Sequence, residues 1–210
     1  MELTWYGLSC FRLTERGQST VVTDPYDGKV GLPPLKLKAD ILTISHDAPG
    51  HNCEAAVTGH KHALRGPGEY EIGGVFVRGI TTSRKSTAER RNVIFVFEYS
   101  GLNVVHLGDL DKVPSQSQID ELGEVNVLLI PVGGGNTLSA PQAAELVSLL
   151  EPNVVIPMHY HMPELTFQLG ELERFLKEMG VSEFTPEANL KITRSSLPEE
   201  TQVVVLTTKL

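Results

Sequence analysis

Apolar and polar positions alternate loosely at the start of the chain. Leu3, Trp5, Cys10, Phe11 and Leu13 read as inward positions, Glu15-Arg16-Gly17-Gln18 as a turn, and residues 19–23 as the returning strand of a β-hairpin. Asp24-Pro25 ends that strand, and residues 27–34, rich in Gly and Pro, form a loop. Residues 40–45 make the next strand, apolar through Ile41-Leu42-Thr43-Ile44. Between residues 55 and 80 the pattern stays extended around Gly66-Pro67-Gly68, which predicts meandering antiparallel strands. Residues 81–91 are polar and basic without periodicity, as in an exposed loop.

The second half changes character. Residues 92–99 and 102–106 predict a hairpin around Ser100-Gly101 that leads into Leu107-Gly108-Asp109. The nearly continuous apolar run 125–132, ended by Gly133-Gly134-Gly135, is that of a strand covered on both faces. Ser139 with Gln142 predicts a capped helix start, and Ala143, Leu146, Val147 and Leu150 recur at helical spacing before Pro152. Residues 154–158 form a further buried strand ending in His159-Tyr160-His161. A second helix is predicted over 167–179, with Gly180 as its left-handed cap, and a last strand over 202–207. Strands dominate the first half, helices alternate with strands in the second, and no linker divides the 210 residues, so a single domain, 1–210, is expected.

Composition narrows the function. A net charge of -8 disfavours a nucleic-acid partner, because phosphate binding relies on clustered Lys and Arg. Two cysteines, Cys10 and Cys53, are too few for a disulfide scaffold, and no apolar run approaches membrane-spanning length. With no basic, apolar leader at the N-terminus, a cytoplasmic protein without a membrane partner is expected.

The candidate chemistry lies at strand ends. His46, Asp109 and His159 each follow the C-terminal end of a predicted strand, where the loops of a layered α/β architecture converge, and His51 shares the loop of His46. Three imidazoles and a carboxylate suit zinc, iron or manganese. The other histidines have plainer roles: His60 and His62 read as an exposed strand face, and His106, inside an apolar strand, as structural. His161 is either a substitute ligand or exposed, and Cys53 reads as a small buried residue.

Several motifs occur in a meaningful order: Thr4-Trp5-Tyr6-Gly7-Leu8-Ser9-Cys10-Phe11, Thr23-Asp24-Pro25, Ser45-His46, Gly66-Pro67-Gly68-Glu69-Tyr70-Glu71, His106-Leu107-Gly108-Asp109 and Ile156-Pro157-Met158-His159-Tyr160. In this the chain resembles the metallo-β-lactamase-fold superfamily, and within it the small zinc-dependent hydrolases of bacteria and archaea. The resemblance implies an α/β fold, a four-layer αβ/βα sandwich whose sheets come from the two halves of the chain.

It also implies ligands to two metals in a His-x-His-x-Asp-His loop, which aligns with His46, Ala48, Gly50 and His51, so two of the four ligands are missing. A further histidine of the pattern aligns with Ser83. On this alignment the first metal site keeps only His46 and Asp109, while the second keeps His51, Asp109 and His159, enough for one divalent cation with His46 as a possible fourth ligand. Asp109 would then be catalytic, and Asp24 would orient a histidine from behind. Arg84 and Lys85 are cationic candidates for an anionic substrate group, with His161 as a further substrate contact. Two readings follow: a metal-dependent hydrolase with a reduced, mononuclear site, or a catalytically inactive member acting as a ligand-binding or assembly module. Neither the substrate nor the oligomeric state is written in the sequence.

Overall fold

A computed structural model of the chain describes residues 1–83 and 91–209. The strands are β1 (Glu2–Trp5), β2 (Phe11–Thr14), β3 (Val21–Thr23), β4 (Leu37–Lys38), β5 (Ile41–Thr43), β6 (Val57–Thr58), β7 (His62–Leu64) and β8 (Gly68–Ile72). They continue as β9 (Val75–Ser83), β10 (Arg91–Tyr99), β11 (Leu102–His106), β12 (Val127–Pro131), β13 (Val154–Met158), β14 (Leu190–Lys191) and β15 (Gln202–Val203). Helix α1 (Gln116–Leu122) separates β11 from β12, α2 (Ala140–Leu150) separates β12 from β13, and α3 (Leu172–Glu178) follows β13.

Two mixed sheets form an α/β sandwich. One has the order β14-β1-β2-β3-β5-β7 and the other β15-β13-β12-β11-β10-β9-β8, while β4 and β6 pair separately. Their apolar faces merge into one core that includes Leu3, Phe11 and Val22 from the first sheet and Phe95, Phe97 and Val105 from the second. Phe11 meets His106 edge-on across the interface, with ring centroids 6.2 Å apart. The run 127–131 is buried throughout because β12 lies between β11 and β13, parallel to both, as its unbroken apolar sequence demands. Helix α2 starts at the expected cap, with Ser139 and Gln142 bonded reciprocally, and buries Ala143, Leu146 and Val147.

Several expectations are corrected. In the stretch 55–80 only β8 and β9 pair antiparallel, whereas β6 and β7 run parallel to β4 and β5. Runs of two or three residues carry no signal of direction, which is set by the crossovers between them. The division of the sheets by sequence halves also fails, since β14 returns to the edge of the first sheet beside β1. The predicted loop 81–91 is shorter, because β9 and β10 stay in register as far as Ser83 and Arg91. Thr82 and Asn92 are buried there but polar, paired to each other by hydrogen bonds, so no apolar alternation marks the strands.

Helix α1 was not expected, and its sequence QSQIDEL buries only Leu122. The last strand shortens to β15 plus an isolated bridge between Glu187 and Leu206. Helix α3 begins at Leu172 rather than 167, and the residues before it form an irregular strap. Among the described residues no helix is long and apolar enough to cross a membrane.

Gly108 sets how closely the sheets approach at their C-terminal edge. It has φ +58°, and a Cβ there would lie 2.3 Å from Asn92 Oδ1 and 2.6 Å from Ser45 Cβ. Both contacts are with buried groups that have no room to retreat. Gly108→Ala is therefore expected to lower stability by about 2–4 kcal/mol, read as a reduced denaturant midpoint at unchanged m-value. A loss below about 0.5 kcal/mol would show that the two edges are not locked together here.

Candidate metal centre

The strand ends deliver the expected residues to one place. Asp24 follows β3, Ser45 and His46 follow β5, Asp109 follows β11 and His159 follows β13. All are buried, with His51 returning from the loop after β5. Asp24 and His159 have φ of 38° and 52°, and Leu8 beside them has 47°, a left-handed conformation that is uncommon outside glycine. Leu8 uses its carbonyl to accept from the His159 amide at 3.2 Å and from Trp5 Nε1 at 2.9 Å, which ties the β13 end to the first loop of the chain.

Asp109 stands at the centre. Its Oδ1 lies 3.4 Å from His51 Nε2 and 3.6 Å from His159 Nε2, and its Oδ2 lies 3.5 Å from His46 Nε2. These separations exceed the range of an N–H···O bond. They match instead the edge of a tetrahedron of donors, about 3.4 Å for metal–ligand bonds of about 2.1 Å. The ligand atoms of His51, Asp109 and His159 all lie within 4.8 Å of one another. The donor set therefore fits a divalent cation in both chemistry and spacing. Asp109 is itself fixed by its amide, which donates to Asn92 Oδ1 at 2.9 Å, while Asn92 Nδ2 donates to the Leu107 carbonyl at 2.9 Å.

Asp24 lies behind the imidazoles and is fully enclosed. Its Oδ1 accepts from the Ser45 amide at 2.7 Å, and its Oδ2 accepts from the Ser45 hydroxyl and from His51 Nδ1, the latter at 3.0 Å. Burial alone would raise the Asp24 carboxyl. The hydrogen bond from His51 and the proximity of His106, His51 and His46 outweigh it and hold the group below the usual carboxylate range.

Because Asp24 stays ionised, the single proton of Ser45 Oγ goes to it. Ser45 Oγ must then accept from His46 Nδ1, 2.9 Å away. One carboxylate thus assigns both tautomers, directly for His51 and through Ser45 for His46, and in each ring the Nε2 lone pair is left facing Asp109. His106, beneath the site, donates from Nε2 to the Ser9 carbonyl at 2.9 Å and accepts the Gly108 amide on Nδ1 at 3.2 Å, so it is structural, as expected.

The remaining candidates are not gathered here. His161 does not line the cavity over the centre and instead donates its amide to the Gly170 carbonyl at 2.9 Å. His60 bonds Glu54 at 3.1 Å, His62 is exposed and Cys53 is partly buried. Arg84 and Lys85 lie outside the described residues. Ala48 lines the cavity, while a side chain at Gly50 (φ +93°) would start 3.5 Å from both Leu8 and Val30. Sequence reasoning missed Ser45 and Asn92. The available signal was a polar residue adjoining an apolar strand, Ser45 after Ile44 and Asn92 before Val93.

Two mixed sheets with histidines and aspartates gathered at one edge define the metallo-β-lactamase type of α/β sandwich. The β-lactamase superfamily domain matches residues 2–159, and the chain belongs to that family. A candidate zinc-dependent hydrolase of the metallo-β-lactamase superfamily from Thermotoga maritima is 37% identical, superposes with a TM-score of 0.83 and covers 99% of both chains. A UPF0173 protein of Pyrococcus furiosus is 27% identical over 206 residues, which is 85% of this chain and 90% of that protein. A UPF0173 metal-dependent hydrolase of Thermoplasma acidophilum is 27% identical over 207 residues, 83% and 89% of the two chains.

Two outcomes are expected of the metal-free protein. Ser45→Ala should leave His46 without its acceptor, so that the Nδ1-protonated form, visible in long-range imidazole 1H–15N spectra, no longer dominates. An unchanged His46 spectrum would refute the relay.

The second outcome concerns pH. Burial, the larger effect, lowers the pKa of His106 and of His159 below the ordinary 6.5 against the pull of Asp24 and Asp109, so both stay neutral in the fold. Unfolding then takes up protons below pH 6.5. Stability should be full above that pH and fall as the pH drops toward the lowered folded values, with Asp24 adding a further loss at much lower pH. The denaturant midpoint should decline between pH 7 and 5.5, and a flat profile would contradict the assignment.

Proposed function

We propose that the protein is a metal-dependent hydrolase working with one divalent cation, zinc above manganese or iron, held by His51, Asp109 and His159, a three-residue donor set that leaves room for water, with His46 beside it on the same rim. The observation that carries this reading is the placement of three imidazole Nε2 atoms 3.4–3.6 Å from the two oxygens of one buried carboxylate. The names of the Thermoplasma and Thermotoga relatives support it. A nitrogen-rich set with one carboxylate suits zinc.

When bound, such a cation polarises the oxygen of the scissile group and lowers the pKa of a water toward neutrality. The chain's own residues do the rest. Asp109 would hold the cation together with His51 and His159, and its Oδ2, 3.5 Å from His46 Nε2, is the oxygen away from those two imidazoles and placed to take a proton from water. Asp24 and Ser45 hold two imidazoles in the ligating tautomer, so no reorientation is needed during the reaction. His46, His51, Asp109 and His159 are buried except where they meet the cavity that gives access to them.

Protein incubated with zinc, manganese or iron is expected to retain about one equivalent and to hydrolyse an activated ester such as p-nitrophenyl acetate. Asp109→Ala and His159→Ala should each weaken metal binding by more than about a hundredfold, since even partners behind the ligands are worth about 10- to 100-fold. Retention of less than about a tenth of an equivalent, or binding untouched by both substitutions, would overturn the reading and favour the inactive module.

A further inference from the structure

The cavity above the centre has a volume of about 470 Å³, within the usual size range of small-molecule sites. Its floor is His46, His51, Asp109 and His159, and its walls include Val30, Pro49, Phe167 and Leu169. Phe167 and Leu169 belong to the strap between β13 and α3. Of the large apolar side chains exposed among the described residues, Phe167, 38% exposed, is the one that lines this cavity. With Val30, Pro49 and Leu169 it makes a contiguous apolar side to a cavity whose polar groups are gathered at the centre, the usual division in a small-molecule site.

The strap is fastened on both sides of that ring. Thr166 donates its amide to the Val30 carbonyl and its hydroxyl to the Lys29 carbonyl, each at 3.0 Å. Gly31 allows the approach, because a Cβ there would lie 1.9 Å from the Glu164 carbonyl oxygen. At the other end Gly170 donates to the Gly133 carbonyl at 2.7 Å and accepts from the His161 amide. The residues between are thus held over the centre, and the cavity width is fixed by backbone contacts.

The described lining carries one lysine. Lys29, its cation, is 89% exposed and has Asp27 at 3.9 Å, so its charge is solvated and partly balanced at the rim. Val30, Pro49, Phe167 and Leu169 give the same cavity an apolar side.

We infer that the strap is the specificity wall of this site and that the substrate is a carboxylic ester, thioester or amide with an apolar acyl group packed against Phe167 and Leu169. This rests on the hydrolase reading above. In the reaction the oxygen of water bonds to the acyl carbon, the bond from that carbon to the leaving heteroatom breaks, and the leaving group departs with a proton from the water. The step is redox-neutral and needs no further reactant.

The test uses hydroxamic acids, which chelate a protein-bound metal without being turned over. Zinc-loaded protein is titrated calorimetrically with acetohydroxamic and hexanohydroxamic acid. Each fully buried methylene is worth about fourfold in affinity, so the hexanoyl compound should bind at least about tenfold more tightly, allowing for incomplete cover. Phe167→Ala should collapse that ratio to about threefold or less. Leu149→Ala, a change at a more exposed apolar residue on α2, away from the cavity, should leave it unaltered.

Equal affinity for the two compounds, or a ratio that survives Phe167→Ala, overturns the acyl-wall inference and leaves the metal-centre reading standing. Failure of both compounds to bind a protein that retains zinc overturns the open hydrolytic site, and the inference with it.

Discussion

The arrangement of this molecule depends on one buried carboxylate. Asp24 lies where β3 ends, in a backbone conformation that non-glycine residues adopt rarely, with no access to water. A charge in that position is tolerated only because the Ser45 amide, the Ser45 hydroxyl and His51 all donate to it. Each donor belongs to the segment that carries the histidines. Solvation of one anion and orientation of two imidazoles are therefore the same set of hydrogen bonds.

Asp109 is the second anchor and its support comes from the other sheet. Asn92 near the start of β10 takes the Asp109 amide on its side-chain oxygen and donates its own side-chain amide to the Leu107 carbonyl after β11 and to the Thr82 hydroxyl on β9. Gly108 lets Ser45 and Asn92 close over that turn. Asp24 thus positions the histidines of the first sheet and Asn92 the carboxylate of the second, while Leu8 holds His159, so the meeting of these groups reports how closely the sheets approach. Ala48 and Gly50 carry no side-chain donor or acceptor, so this framework is built without them.

Much of the plan was legible in the chain. The apolar run 127–131, the capped start of α2 and the strand-end placement of His46, Asp109 and His159 each follow from local chemistry: two-sided burial, a reciprocal cap, and polar residues where an apolar strand stops. Failures came where local chemistry was silent. Strands as short as β6 and β7 have no period from which to read direction. The residues 167–171 carry helix-compatible side chains, yet backbone bonds at Thr166 and Gly170 hold them as a strap. Ser45 looked like the last residue of a strand rather than a proton relay, because its role exists only relative to Asp24, 21 positions earlier.

The order of motifs along the chain was enough to determine the superfamily, the sandwich and the residues that converge, since each strand end is a local event and the topology joins them. It was not enough to determine which donor faces which. Hydrogen-bond direction, the tautomer of each imidazole and the spacing of donors around Asp109 arise from contacts between segments far apart in sequence. The apolar wall beside Phe167 arises in the same way, from the strap between β13 and α3 closing on the turn after β3. Those contacts form only when the two sheets close on a shared core, which is why the chemistry of the site is a property of the packed molecule.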